Sequence, residues 1–242
     1  MEHFGLEIDD KNLPAHIGII MDGNGRWAKR KNLDRIMGHD KGYKVLKRII
    51  DFNKFIGVKY ITVYAFSTEN WKRPENEVNF LMELAKKLVI EYTETLLKND
   101  IRLMITGTED NLSKDLLLLL QSSIDRTSHC KRYTLNIAFN YGGRKEILDA
   151  VKKIAVESGK DSSLIENLDE DNFRKYLYHS DLPDVDLMIR TSGEIRTSNF
   201  LLWQSAYSEL WFTKKLWPDF TPKDYCKAIV DYQKRQRRFG SV

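Results

Sequence analysis

Cysteine is scarce in this sequence. Cys130 and Cys226 are the two cysteines among 242 residues, and their separation does not match the ligand spacing of a metal site. Two cysteines cannot supply the disulfide framework of a small secreted protein, which excludes that class. We expect both thiols to be buried and reduced, as is typical of cytosolic proteins.

Long apolar stretches are also missing. The sequence has no uninterrupted apolar run of about 18 residues, the length that a membrane-spanning helix needs. Residues 1–16, "MEHFGLEIDDKNLPAH", are polar and acidic and lack the basic and apolar regions of a signal peptide. Together these absences predict a cytoplasmic protein.

No segment rich in proline, glycine or serine divides the chain, and no internal repeat is found. We therefore expect one domain over residues 14–242, preceded by an N-terminal tail over residues 1–13. The net charge of +4 is modest. The dense basic tract "KRQRR" at 234–238 is more typical of a solvated helix face than of a nucleic-acid site, so no nucleic-acid partner is expected.

What the sequence does contain is an alternation of apolar, β-branched runs with helical patterns. Strands are predicted at 16–21, 60–66, 101–107, 133–140, 185–190 and 209–213, and helices at 39–56, 76–98, 112–125, 144–157, 169–178 and 222–237. Several strand candidates are apolar at consecutive positions, which suits parallel strands covered on both faces. The pattern predicts a single-domain α/β fold with a central, mainly parallel sheet of about six strands flanked by helices.

The predicted helix 76–98 carries a broad apolar face. Its side chains either pack in the core or line an apolar pocket or channel, and the sequence leaves both open. The face consists of Phe80, Leu81, Leu84, Leu88, Tyr92 and Leu96.

A glycine-rich loop follows the first predicted strand. Residues 23–28, Gly-Asn-Gly-Arg-Trp-Ala, match the G-x-G-x-x-[GA] pattern of dinucleotide-binding proteins. The acidic residue of that pattern should lie about 20 residues further on, whereas the next predicted strand finishes near Glu69, more than 40 residues later. Asp22 would also repel a pyrophosphate on the glycines, so the dinucleotide alternative is the weaker one.

A divalent cation between Asp22 and a phosphate removes this repulsion. Magnesium commonly binds through one or two carboxylates and phosphate oxygens, while backbone N–H groups at a helix N-terminus hold the phosphate. Asp22 is thus a candidate magnesium ligand. The alternative is that Asp22 only caps the following helix.

Polar side chains also follow two other predicted strands. Ser67, Glu69, Asn70, Trp71 and Arg73 come after the second strand, and Arg190, Arg196 and Ser198 after the fifth. The carboxyl ends of parallel strands share one edge of a sheet, where ligands bind. One acid, several arginines and apolar helices at this edge predict a site for two diphosphates attached to apolar tails.

Seven segments together resemble the cis-prenyltransferase family, in particular its bacterial undecaprenyl diphosphate synthases. They occur in the family's order over about residues 14–240 and are long and specific. The segments are "MDGNGRWAK", "GH" with a glycine three residues on, "YAFSTENWKRP", "LNIAFNYGGR", "DLMIRTSGE", "SNFLLWQ" and "LWPDF".

The resemblance implies that isopentenyl diphosphate is added repeatedly to farnesyl diphosphate, with each new double bond cis. The product would be a long polyprenyl diphosphate such as undecaprenyl diphosphate, the lipid carrier precursor for cell-wall glycans. The resemblance further implies a magnesium requirement, a homodimer and a hydrophobic tunnel for the chain. Ala65, Leu84, Leu88, Leu103, Leu135 and Ile137 are candidates to line it. Because such a product is apolar, peripheral contact with the inner face of the membrane is a further hypothesis.

The resemblance also implies roles for individual residues. Asp22 would be the catalytic magnesium ligand, Glu209 a further metal ligand, and Asn70 the group for proton removal, although a neutral amide is a poor base and suits orientation better. The allylic diphosphate would be held by Gly23, Asn24, Gly25 and Arg26, with Trp27, Arg35 and His39 around it. Other substrate contacts are assigned to Ser67, Thr68, Glu69, Trp71, Arg73, Arg190, Arg196, Thr197 and Ser198.

The C-terminal Arg238-Phe239-Gly240 matches the family's Arg-x-Gly, which reaches the diphosphates of the neighbouring subunit. Two positions depart from the family pattern. Ile195 stands where some relatives have a histidine near the metal, and Thr197 replaces a commoner aliphatic residue. A catalytically inert partner subunit of the same fold is the remaining alternative, but it would be expected to lack Asp22 and the arginines of the isopentenyl site.

Overall fold

The computed structural model describes residues 1–161 and 163–237 of the chain. Its first two strands, β1 (Glu2–His3) and β2 (Leu6–Glu7), form a short antiparallel hairpin within the predicted tail. The side chain of Ile8, directly after the hairpin, is 2% exposed and belongs to the main apolar cluster. Strands of two residues are too short to leave a periodic signal in the sequence.

The six predicted strands all form, and they join in one parallel sheet. Its order is β5-β6-β4-β3-β7-β8, and all neighbouring pairs are parallel. The parallel α/β prediction is therefore confirmed. The strands are β3 (His16–Ile20), β4 (Tyr60–Ser67), β5 (Ile101–Thr106), β6 (Tyr133–Tyr141), β7 (Leu187–Arg190) and β8 (Glu209–Phe212).

Helices cover both faces of the sheet. One apolar cluster joins alternate strand residues with α2, α3, α4 and α8, and two smaller clusters lie towards α5 and α7. Cys130 and Cys226 are free and buried, as predicted. The helices are α1 (Asn24–Arg30), α2 (Arg35–Ile56), α3 (Glu75–Lys98), α4 (Lys114–Thr127), α5 (Gly143–Ser158), α6 (Ser163–Glu166), α7 (Glu170–Arg174) and α8 (Pro222–Gln233).

Three helix boundaries differ from the prediction by four residues, and the other differences are of one or two residues. Helix α2 begins at Arg35 instead of 39, because the carboxylate of Asp34 accepts a hydrogen bond from the Ile36 N–H at 3.0 Å and caps the helix. Helix α7 ends at Arg174 instead of 178, and beyond it the Tyr178 N–H donates to Glu146. Helix α8 ends at Gln233 instead of 237.

A layer of polar side chains crosses the sheet on the side of α5. His16 Nδ1 donates to the Pro183 carbonyl at 2.7 Å, which leaves Nε2 to accept from the Thr62 hydroxyl at 2.7 Å. The Asn136 amide donates to the same hydroxyl, and Thr106 donates to Asn136 Oδ1 at 2.8 Å. We call this set the buried polar layer; its four strand residues are His16, Thr62, Thr106 and Asn136. All four are buried, so the layer is closed to solvent.

In the described residues, no helix is both long enough and apolar enough to cross a membrane. The strand order places β3 between β4 and β7. The chain runs from β3 through α2 to β4 on one side and reaches β7 on the other side much later. The order in which the chain adds strands to the sheet therefore reverses at β3. Ligands usually bind beside such a reversal in parallel α/β folds.

Candidate active site

The loops after β3, β4 and β7 meet at the carboxyl edge of the sheet, as predicted. Asp22 lies two residues beyond β3, and the side chain of Arg190, the last residue of β7, reaches it: Nη2 lies 2.9 Å from Asp22 Oδ2. Arg26 approaches the other carboxylate oxygen at 3.1 Å. The acid is thus held between an arginine of α1 and the arginine that ends β7.

Asp22 is not the helix cap that the alternative required. The N-cap of α1 is Gly23, which has a φ of 107° and makes no side-chain cap bond. That left-handed conformation favours glycine, and a Cβ there would also lie 2.9 Å from Leu216. The carboxylate of Asp22 is free of a local structural task and points to the arginines.

The electrostatics keep Asp22 ionised. Burial alone raises its pKa, but hydrogen bonds from Arg190 and Ser192 and the charges of Arg190 and Arg26 outweigh burial, so the pKa lies below its usual range. The Asp22 carbonyl accepts from the Trp217 N–H at 3.0 Å and from the Thr191 hydroxyl at 2.6 Å. These two bonds fix the backbone beneath the carboxylate.

A second acid, Glu194, connects the two groups of arginines. It accepts from Arg26 Nη1 at 2.9 Å and from Arg196 Nη1 at 2.6 Å, while Arg190 Nη1 donates to the Ser198 hydroxyl at 2.7 Å. Sequence reasoning missed Glu194, although it lies inside a quoted segment. Its importance lies in sharing two arginines that are distant in the sequence, and no spacing records such a contact. The structure makes it the bridge between the β3 and β7 loops.

A third acid, Glu77, contacts three further residues of the predicted site, two arginines and a histidine. It is 5% exposed and lies 3.1 Å from Arg35 Nε, 3.3 Å from His39 Nε2 and 3.0 Å from Arg73 Nη1. Burial raises the pKa of Glu77, but the charges of Arg73 and Arg35 outweigh this effect. The pKa therefore lies below its usual range, and Glu77 is ionised. Burial lowers the pKa of His39, and the neighbouring arginines add to this effect against the opposing pull of Glu77.

The segment after β4 is a 3-10 helix, Thr68–Lys72, which begins with a capping box formed by Ser67 and Asn70. The Asn70 side-chain oxygen accepts from the Ser67 N–H at 3.2 Å, so this amide is oriented by its own backbone. Glu69 accepts from Asn199 at 2.7 Å, and this bond helps to hold the pKa of Glu69 below its usual range against the effect of burial. The Trp71 indole donates to Asn140.

Of three further predicted residues, two make contacts away from the arginines and the third lies beside one. The indole of Trp27 donates to Asp219 at 2.8 Å, which turns it away from the arginines. The Thr197 carbonyl accepts from the Phe200 N–H at 3.1 Å, a turn contact. Gly25 is close to Arg35, since a Cβ there would meet the guanidinium carbon at 3.0 Å.

An apolar cavity opens beside this polar cleft. The cleft has a volume of about 330 Å³ and the cavity about 100 Å³, and residues at their junction line both: Met21, Asn24, His39, Ala65 and Leu81. Of the predicted tunnel residues, the cavity is lined by Ala65, Leu84, Leu88 and Ile137. Leu103 and Leu135 instead pack in the core, each 1% exposed.

The sequence of the whole chain was compared with known proteins. Residues 20–240 match the Prenyltransf family model, whose description is undecaprenyl diphosphate synthase. The chain belongs to this family. An isoprenyl transferase of Thermotoga maritima is 51% identical over 230 residues, which cover 95% of this chain and 98% of that protein.

Solved structures agree with this membership. The lavandulyl diphosphate synthase of Lavandula x intermedia, crystallised in complex with dimethylallyl diphosphate, matches with a TM-score of 0.92 at 33% identity, covering 96% of this chain and 100% of that chain. A probable undecaprenyl diphosphate synthase of Campylobacter jejuni matches with a TM-score of 0.79 at 32% identity, covering 95% and 100%. The family resemblance of the sequence is confirmed, and a dinucleotide oxidoreductase is excluded.

The two predicted metal ligands, Asp22 and Glu209, lie apart in this chain. Glu209 begins β8 and pairs with Leu187 at the start of β7, whereas Asp22 follows the ends of the strands. The offset between Leu187 and Arg190 alone is about 10 Å at the rise of a β-strand. Glu209 accepts instead from Arg235 at 2.6 Å. A single chain does not bring Asp22 and Glu209 to one ion.

The start of a parallel strand lies at the edge opposite to its end. This geometry was available from the predicted strand 209–213, so the sequence already contained the conflict. Arg238, Phe239 and Gly240 lie outside the described residues. Ile195, at the position where some relatives have histidine, is 77% exposed.

Proposed function

We propose that this protein extends farnesyl diphosphate by repeated addition of isopentenyl diphosphate, forms cis double bonds, and releases a long polyprenyl diphosphate, undecaprenyl diphosphate. The observation that carries the proposal is an ionised carboxylate, Asp22, held between arginines in a polar cleft that adjoins an apolar cavity. A diphosphate with an apolar tail matches both halves of this arrangement.

The arginines suit two diphosphates. Guanidinium groups bind phosphate oxygens in a planar, bidentate manner, and they stand in two groups on either side of Asp22. Arg26, Arg35 and Arg73 lie towards α1 and α2, and we assign them to the allylic diphosphate. Arg190 and Arg196, with Ser198, are assigned to isopentenyl diphosphate. Within the described residues the buried Nε of Arg190 has no hydrogen-bond partner, so this donor is available to a phosphate oxygen.

The donor set at Asp22 fits magnesium. Its two carboxylate oxygens are hard ligands, the side chain is 28% exposed, and phosphate-binding arginines adjoin it. Magnesium is usually held by one or two carboxylates together with substrate phosphate and water. When bound, magnesium would neutralise negative charge on the leaving diphosphate. Glu209 is proposed as a ligand only across a homodimer, since one chain separates it from Asp22.

The residues of the chain then act as follows. Arg26 and the glycine loop at 23–25 hold the allylic diphosphate, and the fixed positive groups stabilise the charge that grows on its oxygens as the carbon–oxygen bond breaks. The isopentenyl double bond, held by the Arg190 group, attacks the allylic carbon. Asn70, oriented by its hydrogen bond to the Ser67 backbone, orients the isopentenyl unit for loss of a proton. The departing diphosphate accepts this proton. Closure around the tail excludes water from the cationic carbon.

The apolar cavity is proposed to be the start of a tunnel for the growing chain. It begins at the polar cleft, and leucines of α3 form one wall. The relative from Lavandula x intermedia was crystallised with dimethylallyl diphosphate, a short allylic diphosphate, which supports this ligand class. With Asp22, Arg190 and Arg196 all assembled at one edge, we propose an active enzyme instead of an inert partner subunit.

The wider setting completes the proposal. The protein acts as a homodimer in the cytoplasm, and its product serves cell-wall glycan synthesis. It touches the membrane peripherally when it releases product. Co-sedimentation with liposomes, measured with and without product, tests this contact, and absence of binding in both cases would refute it.

The decisive experiment supplies farnesyl diphosphate, labelled isopentenyl diphosphate and magnesium, and sizes the products. We expect a series of extended chains that accumulates near eleven isoprene units. Failure to incorporate label would overturn the proposal. A shorter final product would keep the reaction and change the product assignment.

A further inference from the structure

The turn from β6 into α5 is taken here as residues 140–144, that is, the last two residues of β6, Gly142 and the first two residues of α5. It belongs to one of the quoted segments but has no role in the reaction proposed above. Asn140, its first residue, is 1% exposed and has a φ of 51°. A left-handed φ is uncommon for a residue with a side chain, although asparagine tolerates it better than most. Such a conformation inside the protein requires compensation from its contacts.

The side chain of Asn140 supplies that compensation by joining two loops. Its Oδ1 accepts from the Trp71 indole at 2.8 Å. Its Nδ2 donates to the Asp110 carbonyl at 2.7 Å and to the Thr108 carbonyl at 2.9 Å. An indole N–H can only donate and a carbonyl can only accept, so the amide has one possible orientation. The amide offers an acceptor oxygen and two donor hydrogens on one short side chain.

Through Trp71, this bond reaches the candidate site. Trp71 belongs to the 3-10 helix Thr68–Lys72, which also carries Asn70, and its ring packs edge-on against Phe66 at 5.2 Å. The indole hydrogen bond therefore fixes the rotation of this helix against β6. It adds to the ring packing and to the Glu69–Asn199 hydrogen bond, and it ties the helix directly to β6.

The same turn also holds the loop after β7. The Gly143 N–H donates to the Asn199 carbonyl at 2.7 Å, and the Arg144 N–H donates to Asn199 Oδ1 at 2.8 Å. Asn199 directly follows Ser198 of the assigned isopentenyl group. The turn thus lies between the two loops that must face each other for the carbon–carbon bond to form.

We propose that Asn140 is a positioning residue: by accepting the Trp71 hydrogen bond it sets the placement of Asn70 and Trp71 against the substrates. This inference rests on the proposed function, since it needs these two side chains to meet substrate. The glycine loop that holds the allylic diphosphate does not contact Asn140. The bond should therefore influence turnover more than allylic affinity.

The test removes the bond from each side. Asn140→Gly deletes the amide but keeps a backbone suited to the left-handed conformation, and Trp71→Phe keeps a ring but deletes the N–H. The matched control is Asn53→Ala, because Asn53 is also buried and hydrogen-bonded, to Val58 and Tyr225, but lies near the end of α2. Circular dichroism and unfolding midpoints verify the fold of each variant.

We expect kcat of Asn140→Gly to fall by about tenfold or more, since small misplacements of reacting groups are costly. The KM for farnesyl diphosphate should change by less than about threefold. The double variant should lose no more than the more damaged single variant, because both remove one bond. Asn53→Ala should lose stability but retain kcat.

Three results would overturn the inference. These are kcat values of Asn140→Gly and Asn53→Ala that agree, a KM that rises as much as kcat falls, and additive losses in the double variant. If Asn140→Gly does not fold, Trp71→Phe alone tests the bond, and an unchanged kcat refutes the inference.

Fluorescence separates this inference from the proposed function. Acrylamide quenching, read as the difference between chains with and without Trp71, should show greater Trp71 accessibility in Asn140→Gly than in Asn53→Ala. Equal quenching would contradict positioning even if the wild type proved inactive. Lack of chain extension by the wild type would refute only the function.

Discussion

Two polar regions lie on the same sheet and differ in what their polarity does. At the carboxyl edge, Asp22 and Glu194 are each shared by two arginines and remain partly open to solvent, whereas Glu77, shared by two arginines and a histidine, is buried. In the buried polar layer, His16 and Thr62 bond to neutral partners inside the sheet. The edge holds charge that a ligand can replace, whereas the layer holds neutral bonds that nothing from outside can reach.

This difference teaches how polar strand residues should be interpreted. Ion pairs with solvent access cost little to rearrange, so an anionic ligand can take over the arginines at the edge. Buried hydrogen bonds are costly to break without replacement. Variants at the edge should therefore change activity with little change in stability, and variants in the layer should do the reverse.

Removal of divalent metal should have the largest effect. With excess EDTA we expect turnover to fall on the order of a thousandfold, the scale of lost charge stabilisation at a leaving group, and magnesium should restore it. The unfolding midpoint should stay unchanged, because the sheet and its polar layer are held by hydrogen bonds. Full activity in EDTA would break the comparison at the edge.

Arg190→Lys should follow. Arg190 donates to Asp22, Ser198 and the Arg196 carbonyl, and lysine keeps the charge but not the fork. We expect kcat/KM for isopentenyl diphosphate to fall on the order of a hundredfold. The control is Arg174→Lys, since Arg174 pairs with Asp184 away from the site. Equal effects of the two variants would contradict a phosphate role for Arg190.

The smallest effect concerns the polar layer and is a stability change with pH. Burial lowers the pKa of His16 to about 4 from 6.5, against the Pro183 hydrogen bond and the charge of Asp186 that raise it, with Arg174 adding to the decrease. The unfolded chain therefore binds the proton more readily. His16 contributes stability above pH 6.5 that is lost as the pH falls towards 4.

Between pH 7 and pH 5 this loss amounts to about 2 kcal/mol of unfolding free energy. Urea unfolding of the wild type and His16→Asn at both pH values isolates it, because carboxylates that titrate in acid are common to both chains. The exposed His129→Asn is the control. Equal pH dependence in wild type and His16→Asn would show that the layer does not exclude the proton.

Much of the fold could be predicted from local sequence. Six strands followed from consecutive apolar residues, since a strand buried on both faces needs them. Helix ends were less accessible, because the start of α2 depends on the Asp34 cap and the end of α7 lies next to a bond that Tyr178 makes with the distant Glu146. The two-residue strands of the hairpin left no pattern.

The site was predictable as a place more than as a set of contacts. Strand ends located Asp22 and Arg190 at one edge, and the structure brings them together. Glu77 and Glu194 were missed, because their importance lies in sharing arginines from separate loops, which no spacing records. The assignment of Glu209 stays a prediction of the resemblance: its place at the start of β8 separates it from Asp22 within one chain, so a shared ion needs the second subunit of the proposed homodimer.

The central claim is that Asp22 acts on the leaving diphosphate and does not merely bind it. The most direct measurement compares Asp22→Ala with wild type for two quantities, the rate of single-turnover extension and the dissociation constant of farnesyl diphosphate. The account predicts that the rate falls by about a hundredfold or more while the dissociation constant changes by less than about threefold. Equal losses in both would mean that the carboxylate only assists binding, and would contradict the account.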